Sequence, residues 1–188
     1  MRTWIVAFSI LCCSTASFAQ VAEFSVSGGR SIISSRDLGS GYSLADGTRM
    51  GFRVTLNNQK FFGHEFGYAY NRTHLNFNGQ DQGGMAIHQG LYHFLAYATP
   101  EGKHVRPFVS GGGHFSNFVP PGASATQGQG ETKFGVNYGA GVKFRLTEKF
   151  MLRFDAKQYL NPKPFNLPGK TGQLKLNELS IGLAFYLL

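Results

Sequence analysis

Cysteine is confined to the opening of this chain, at Cys12 and Cys13, and none follows. A disulfide framework and a thiolate metal site are therefore excluded from everything after residue 13. Long apolar runs are missing as well: no stretch reaches the roughly 18 residues that a membrane-crossing helix requires. Acid is scarce, with 10 Asp+Glu against 18 Lys+Arg and a formal charge of +8. Excess base can signal nucleic acid or an anionic membrane surface. Here no basic run and no nucleic-acid motif accompanies it, so nucleic acid is not an expected partner. Histidines 64, 74, 88 and 93 show no metal-ligand spacing. His88 and His93 fall on opposite faces of a strand, so no shared ion and no cofactor is expected.

The first residues read as an export signal. Arg2 supplies the positive start, residues 4–11 are a short apolar run, and Ser17-Phe18-Ala19 suits cleavage. Cys12 and Cys13 are poorly placed for lipid attachment, because Leu11 or Cys12 would precede the modified residue. Residues 1–19 are thus expected to be removed, leaving 20–188 as one domain.

What the chain has in quantity is glycine, aromatics and alternation. In one segment Phe134, Val136, Tyr138, Ala140, Val142, Phe144 and Leu146 alternate with Gly135, Asn137, Gly139, Gly141, Lys143 and Arg145. Successive strand side chains point to opposite faces, so this strand meets two different solvents. Similar segments begin near Ala22 and cover about 49–56, 64–71, 85–98, 105–115, 150–159 and 179–187. The faces of the segments at 85–98 and 105–115 are not distinct. Connections at 31–47, 72–84, 116–131 and 161–173 are long, and those at 57–60, 99–104 and 147–149 are short. The stretch 120–130 reads as one mobile loop. Long and short connections alternate in an up-and-down barrel whose ends face different compartments. The expected fold is all-β: an eight-stranded antiparallel up-and-down transmembrane β-barrel, its strands roughly 9–11 residues long.

The polar face separates a membrane barrel from a soluble lipocalin-like carrier, which would hide its apolar face inside. That face holds Gly51, Gly67, Gly135, Gly139, Gly141 and Gly182 with few charges. A narrow lumen needs small residues beside large ones, whereas a wet exterior would carry more Lys, Glu and Thr. Each Lys or Arg facing lipid costs about 2–4 kcal/mol at the midplane. Arg49, Arg53, Lys143, Arg145, Arg153 and Lys157 are therefore expected to point inward.

Residues 134–144, Phe-Gly-Val-Asn-Tyr-Gly-Ala-Gly-Val-Lys-Phe, followed by Arg153-Phe154-Asp155-Ala156-Lys157-Gln158-Tyr159, resemble the last strands of the small outer-membrane β-barrel family. That superfamily includes the OmpA transmembrane domain, OmpX and the opacity proteins. The resemblance implies an eight-stranded barrel in the outer membrane of a bacterium with two membranes. Outer-membrane lipid and lipopolysaccharide would surround it, and an extracellular ligand could bind its long loops. The chain closes on Phe185-Tyr186-Leu187-Leu188, where family members usually finish on an aromatic. No periplasmic domain is expected after the barrel, so peptidoglycan anchoring is not implied.

Two constellations could carry chemistry. The first is an interior charge cluster of Glu23, Arg49, Arg53, Glu65, Lys143, Arg145, Arg153, Asp155 and Lys157. Tight turns would place Arg53 opposite Glu65, Lys143 opposite Arg153, and Gly141 beside Asp155. These groups could fill a lumen just wide enough for side chains, or line a narrow anion-preferring pore, since bases outnumber acids. The second is His114-Phe115-Ser116-Asn117, which is similar to the His-x-Ser-Asn stretch of PagL-type lipid A deacylases, themselves eight-stranded barrels with a lipid-facing active site. His114 and Ser116 share a strand face, as a base and its serine nucleophile must. Glu131 is the nearest acid that could orient the histidine. The reading preferred here is a barrel without enzymatic activity, with a structural, adhesive or loop-mediated binding role in the envelope.

Overall fold

The structure is a computed structural model that describes residues 21–58, 61–168 and 172–187. The expected export signal and turn residues 59 and 60 lie outside the described residues. Among the described residues there are ten strands: β1 Val21–Ile33, β2 Asp37–Gly39, β3 Tyr42–Leu44, β4 Gly47–Asn58, β5 Phe62–Phe77, β6 Gln80–Tyr97, β7 Val105–Val119, β8 Glu131–Arg145, β9 Phe150–Pro162 and β10 Gln173–Tyr186. Eight of them form a closed antiparallel barrel. Each long strand pairs with its successor, and β1 pairs with both β4 and β10, which completes the ring. The small strands β2 and β3 form a hairpin stitched onto β5 by Tyr42↔Phe77 and Leu44↔Leu75.

Burial follows the alternation strand by strand. In β8, Asn137 and Lys143 are buried while Phe134, Val136 and Tyr138 are more than half exposed. The two indistinct strands resolve in the same way. In β6 the odd residues Ile87, Gln89, Leu91, His93 and Leu95 face in; in β7 the even residues Arg106, Phe108, Ser110, His114 and Ser116 do. Outward aromatic rings pack on neighbouring strands, as Phe24 does on Phe52 and Phe185, and Phe62 on Phe94.

The strands are longer than expected, from 12 residues in β4 to 18 in β6. The connection expected at 72–84 is not a loop. β5 and β6 continue past the barrel and meet at Asn78-Gly79, where φ is +48° and +82°. Positive φ at both central residues is the geometry of a type I′ turn, which Asn-Gly favours. Asn-Gly is plainly visible in the sequence, but the polar residues around it disguise the strands.

The turn between β4 and β5 is also wider than expected. Asn58 pairs with Phe62, so Arg53 stands opposite Gly67 and Thr55 opposite Glu65. The slip is two residues, which preserves facing, because a one-residue slip would turn every side chain to the other face. Between β8 and β9, Lys143 pairs with Arg153 and Gly141 with Asp155. The room above Gly141 is filled by the Phe108 ring, which a Cβ at that position would strike.

Layering inside the barrel departs from a uniformly polar lumen. Toward the end carrying the long connections, Ile33, Leu38, Leu44, Leu75, Met85, Ile87, Phe118, Leu174 and Leu176 form one buried apolar cluster. Charge occupies the interior on the side of the chain termini and short turns. Alternation shows which face is inward but not how that face is zoned along the strand.

Candidate functional site

The charged zone is assembled from inward Asp, Glu, Lys and Arg residues of every barrel strand except β6, which adds His93 and Tyr97. Arg153 on β9 lies at its centre. Its guanidinium donates to Glu65 on β5 through Nη1 and Nη2, and to Asp155 through Nε and Nη2, both at 2.9 Å. Arg53 donates to Asp155 at 3.2 Å and to Glu178 at 2.6 Å. Lys157 reaches Glu65 at 3.2 Å and Asp155 at 3.3 Å. Thr55 donates its hydroxyl to Glu65 at 2.9 Å, and His93 Nδ1 lies 3.1 Å from the same carboxylate. Three carboxylates thus serve three cations, and none of these side chains is more than about 5 % exposed. Buried charge is tolerated when it is paired and its remaining hydrogen-bond capacity is met.

Toward the long-connection end the network continues through Arg49. It donates to Asn71 at 3.0 Å and Tyr159 at 3.1 Å, also to Gln89, and approaches Glu178 within 3.1 Å. Tyr159 in turn donates to Glu178 at 2.6 Å. Toward the turn end, Lys143 donates to Glu23 and, at 2.9 Å, to the Tyr97 hydroxyl. Arg106 lies 3.8 Å from the centre of the Tyr97 ring and pairs at 2.7 Å with Glu101 from the 98–104 turn. Tyr186 also donates to Glu101, at 2.9 Å. This turn folds across the barrel's base.

Eight of the nine cluster residues read from the sequence therefore sit inside the barrel: Glu23, Arg49, Arg53, Glu65, Lys143, Arg153, Asp155 and Lys157. Arg145 is half-buried at the rim, where it donates to the Tyr186 hydroxyl at 3.1 Å. Glu178 and Arg106 escape the sequence reading. Glu178 shares parity with Ser180 and Gly182, but the recognisable alternation of β10 starts one residue later. Arg106 belongs to a strand whose Gly111-Gly112-Gly113 run blurs its faces.

His114, Ser116 and Glu131 are each engaged elsewhere. His114 is buried in the lumen with Nε2 2.9 Å from Asn161 Oδ1. Ser116, fully buried, accepts from Gln89 Nε2 at 2.8 Å. Glu131 pairs with Lys133 at 2.6 Å and accepts the Phe165 N–H. His114 and Ser116 do share a face, and it is the lumen face; His114 also lines a groove on the outer wall with Phe66, Tyr92, Phe115 and Phe134. Among the described residues, no group of three His, Cys, Asp or Glu is placed to hold a metal ion.

Comparison with known proteins agrees with this geometry. A family model described as outer membrane protein beta-barrel domain matches residues 5–186. Among solved structures, the chain is similar to Neisserial surface protein A, at 12 % identity over 89 % of this chain and 96 % of that one, with a TM-score of 0.59. It is also similar to the outer membrane protein OprG of Pseudomonas aeruginosa, at 12 % identity, 89 % and 97 % coverage and a TM-score of 0.58. The N-terminal β-barrel domain of Pseudomonas aeruginosa OprF follows, at 13 % identity, 88 % and 96 % coverage and a TM-score of 0.55. At such identities the likeness is one of fold. Among curated proteins, none matches the sequence.

Proposed function

Since this chain belongs to the outer-membrane β-barrel domain family, we propose that it is a sealed barrel of the bacterial envelope that acts through its loop crown. In this reading the wall and lumen are a rigid frame, and the role is structural, adhesive or ligand-binding. Binding function tends to sit on loops held by a rigid scaffold. One observation carries the reading: the interior is occupied along its length, first by the ion network and then by the apolar cluster. An anion moving through would have to displace paired guanidinium groups and then cross a hydrocarbon layer. The surplus of base inside does not make a conduit when the bases are committed to Glu65, Asp155, Glu178 and Glu23.

Residues 1–19 act in this proposal as a cleaved export signal. Lipopolysaccharide is the proposed neighbour of the outer rim. Arg30 and Arg72 are exposed there and flank Thr48 in direct cross-strand register, a spacing suited to lipid phosphate. The deciding experiment for the sealed barrel is reconstitution into planar bilayers. No conductance steps are expected, and reproducible anion-selective steps would overturn the proposal.

A further inference from the structure

We infer that the loop crown contains a preformed site for a small, uncharged apolar molecule, a single ring or a short alkyl chain. The site rests on the loop-crown reading and names its ligand class. It is a pocket of about 240 Å³ lined by Leu38, Tyr42, Leu75, Pro120, Phe165 and Leu167. These six come from four separate pieces of chain: the β2–β3 hairpin, the β5 extension, the start of the 120–130 loop and the 163–168 segment. Its floor, Leu38 and Leu75, belongs to the apolar cluster that fills this end of the lumen, and Tyr42, Phe165 and Leu167 pack against that cluster.

The walls are fixed in advance. Phe165 has φ +69° and ψ 4°, and Asn166 after it has φ +44°. A bulky residue in the left-handed region is uncommon and persists where its surroundings over-determine it, as at ligand clamps. Here the Glu131 carboxylate accepts the Phe165 N–H, and Lys133 Nζ donates to Asn166 Oδ1 at 3.2 Å. Across the pocket, Gly39 has φ +107° and lies so close to the Pro168 carbonyl that a Cβ would come within 2.8 Å. The hairpin and the 163–168 segment therefore pack closely, and Ser40 Oγ donates to the Pro168 carbonyl at 3.3 Å.

The chemistry of the occupant follows from the lining. Its side chains are hydrocarbon apart from the Tyr42 hydroxyl, so a charged or strongly polar ligand would lose hydration without compensation. The volume lies below the roughly 300–1000 Å³ of sites that enclose drug-sized molecules. A folded partner or a peptide is thus too large, and one ring or a few methylenes fit.

The test uses the full chain, methyl-labelled at leucine, in lipid nanodiscs titrated with toluene and with 1-hexanol. Methyl signals of Leu38, Leu75 and Leu167 are expected to shift and saturate. Those of Leu179 and Leu183, on the lipid-facing wall, should drift only in proportion to solute dissolved in the bilayer. Leu167→Asp should weaken saturable binding at least tenfold while the folded, heat-modifiable gel band persists. Tyr42→Ala provides a second variant should Leu167→Asp not fold, and it too should weaken binding. Parallel, non-saturating shifts at all five leucines, or undiminished binding in the folded variants, would overturn the inference. Conductance of the same preparation judges the sealed-barrel reading separately.

Discussion

At the scale of single residues, Arg153 shows what the lumen demands of its side chains. Its donors are divided between Glu65 and Asp155, and its guanidinium carbon lies 4.9 Å from the centre of the Phe108 ring. Removing one partner of such a buried set leaves uncompensated charge, which costs about 3–5 kcal/mol. Arg153→Ala is expected to lose that much in urea unfolding from lipid vesicles. Replacing Arg153 by Met and Glu65 by Leu together should cost less than the two single changes summed, because no orphan charge remains. Alternation made the inward facing of Arg153 legible. Its partners were not, because a contact across the lumen depends on barrel closure and on how far each pair of strands is offset. Arg53 illustrates this: the wider turn moves it two residues from Glu65 in register, yet its Nε still lies 3.8 Å from that carboxylate.

At the scale of elements, the β5–β6 hairpin is instructive. Inside the barrel its pattern is sharp, as in His64, Phe66, Tyr68 and Tyr70 outside against Glu65, Gly67, Ala69 and Asn71 inside. Thr73 and Leu75 are still buried on the inner side. Only at the tip, residues 76–82, do both faces meet water, so composition stops alternating there although pairing continues to Phe77↔Gln80. The sequence cannot mark where a strand wetted on both sides ends, and turn chemistry must be read instead. At its tip Asp81 accepts the Gly83 N–H and lies 2.9 Å from His74 Nδ1. The Gly83 amide, aided by the histidine, holds this carboxyl below its ordinary range. Gly79→Val would force a β-branched residue into the left-handed region, at about 1–2 kcal/mol. Hydrogen exchange should quicken at the amides of residues 74–83 and stay unchanged in the barrel wall.

At the scale of the whole molecule, the wall and the interior solve one problem in opposite directions. Phe52, Phe66, Val109, Val136, Ile181 and Leu183 are exposed because their solvent is hydrocarbon, whereas Arg53, Lys143 and Arg153 are withdrawn from it. Ile181→Arg on the outer face of β10 should therefore cost about 2–4 kcal/mol if it lies at midplane. The readout is again urea unfolding from vesicles, compared with Ile181→Ala. The fold class was legible because two solvents leave opposite stamps on alternate residues. The apolar layer was not, since Met85, Ile87, Leu174 and Leu176 look like any other strand residues until closure brings them to one end.

The pair Arg153 and Glu65 has a mechanical consequence. β5 and β9 stand four places apart around the ring of eight, so their bond spans a full diameter. Arg53, from β4 to Asp155 on β9, adds a chord beside it. Together they act as spokes. Squeezing the cylinder into an ellipse along one axis compresses them, and along the other it pulls them apart. The cross-section is thereby held round against lateral pressure, and the crown above it inherits a base that does not ovalise.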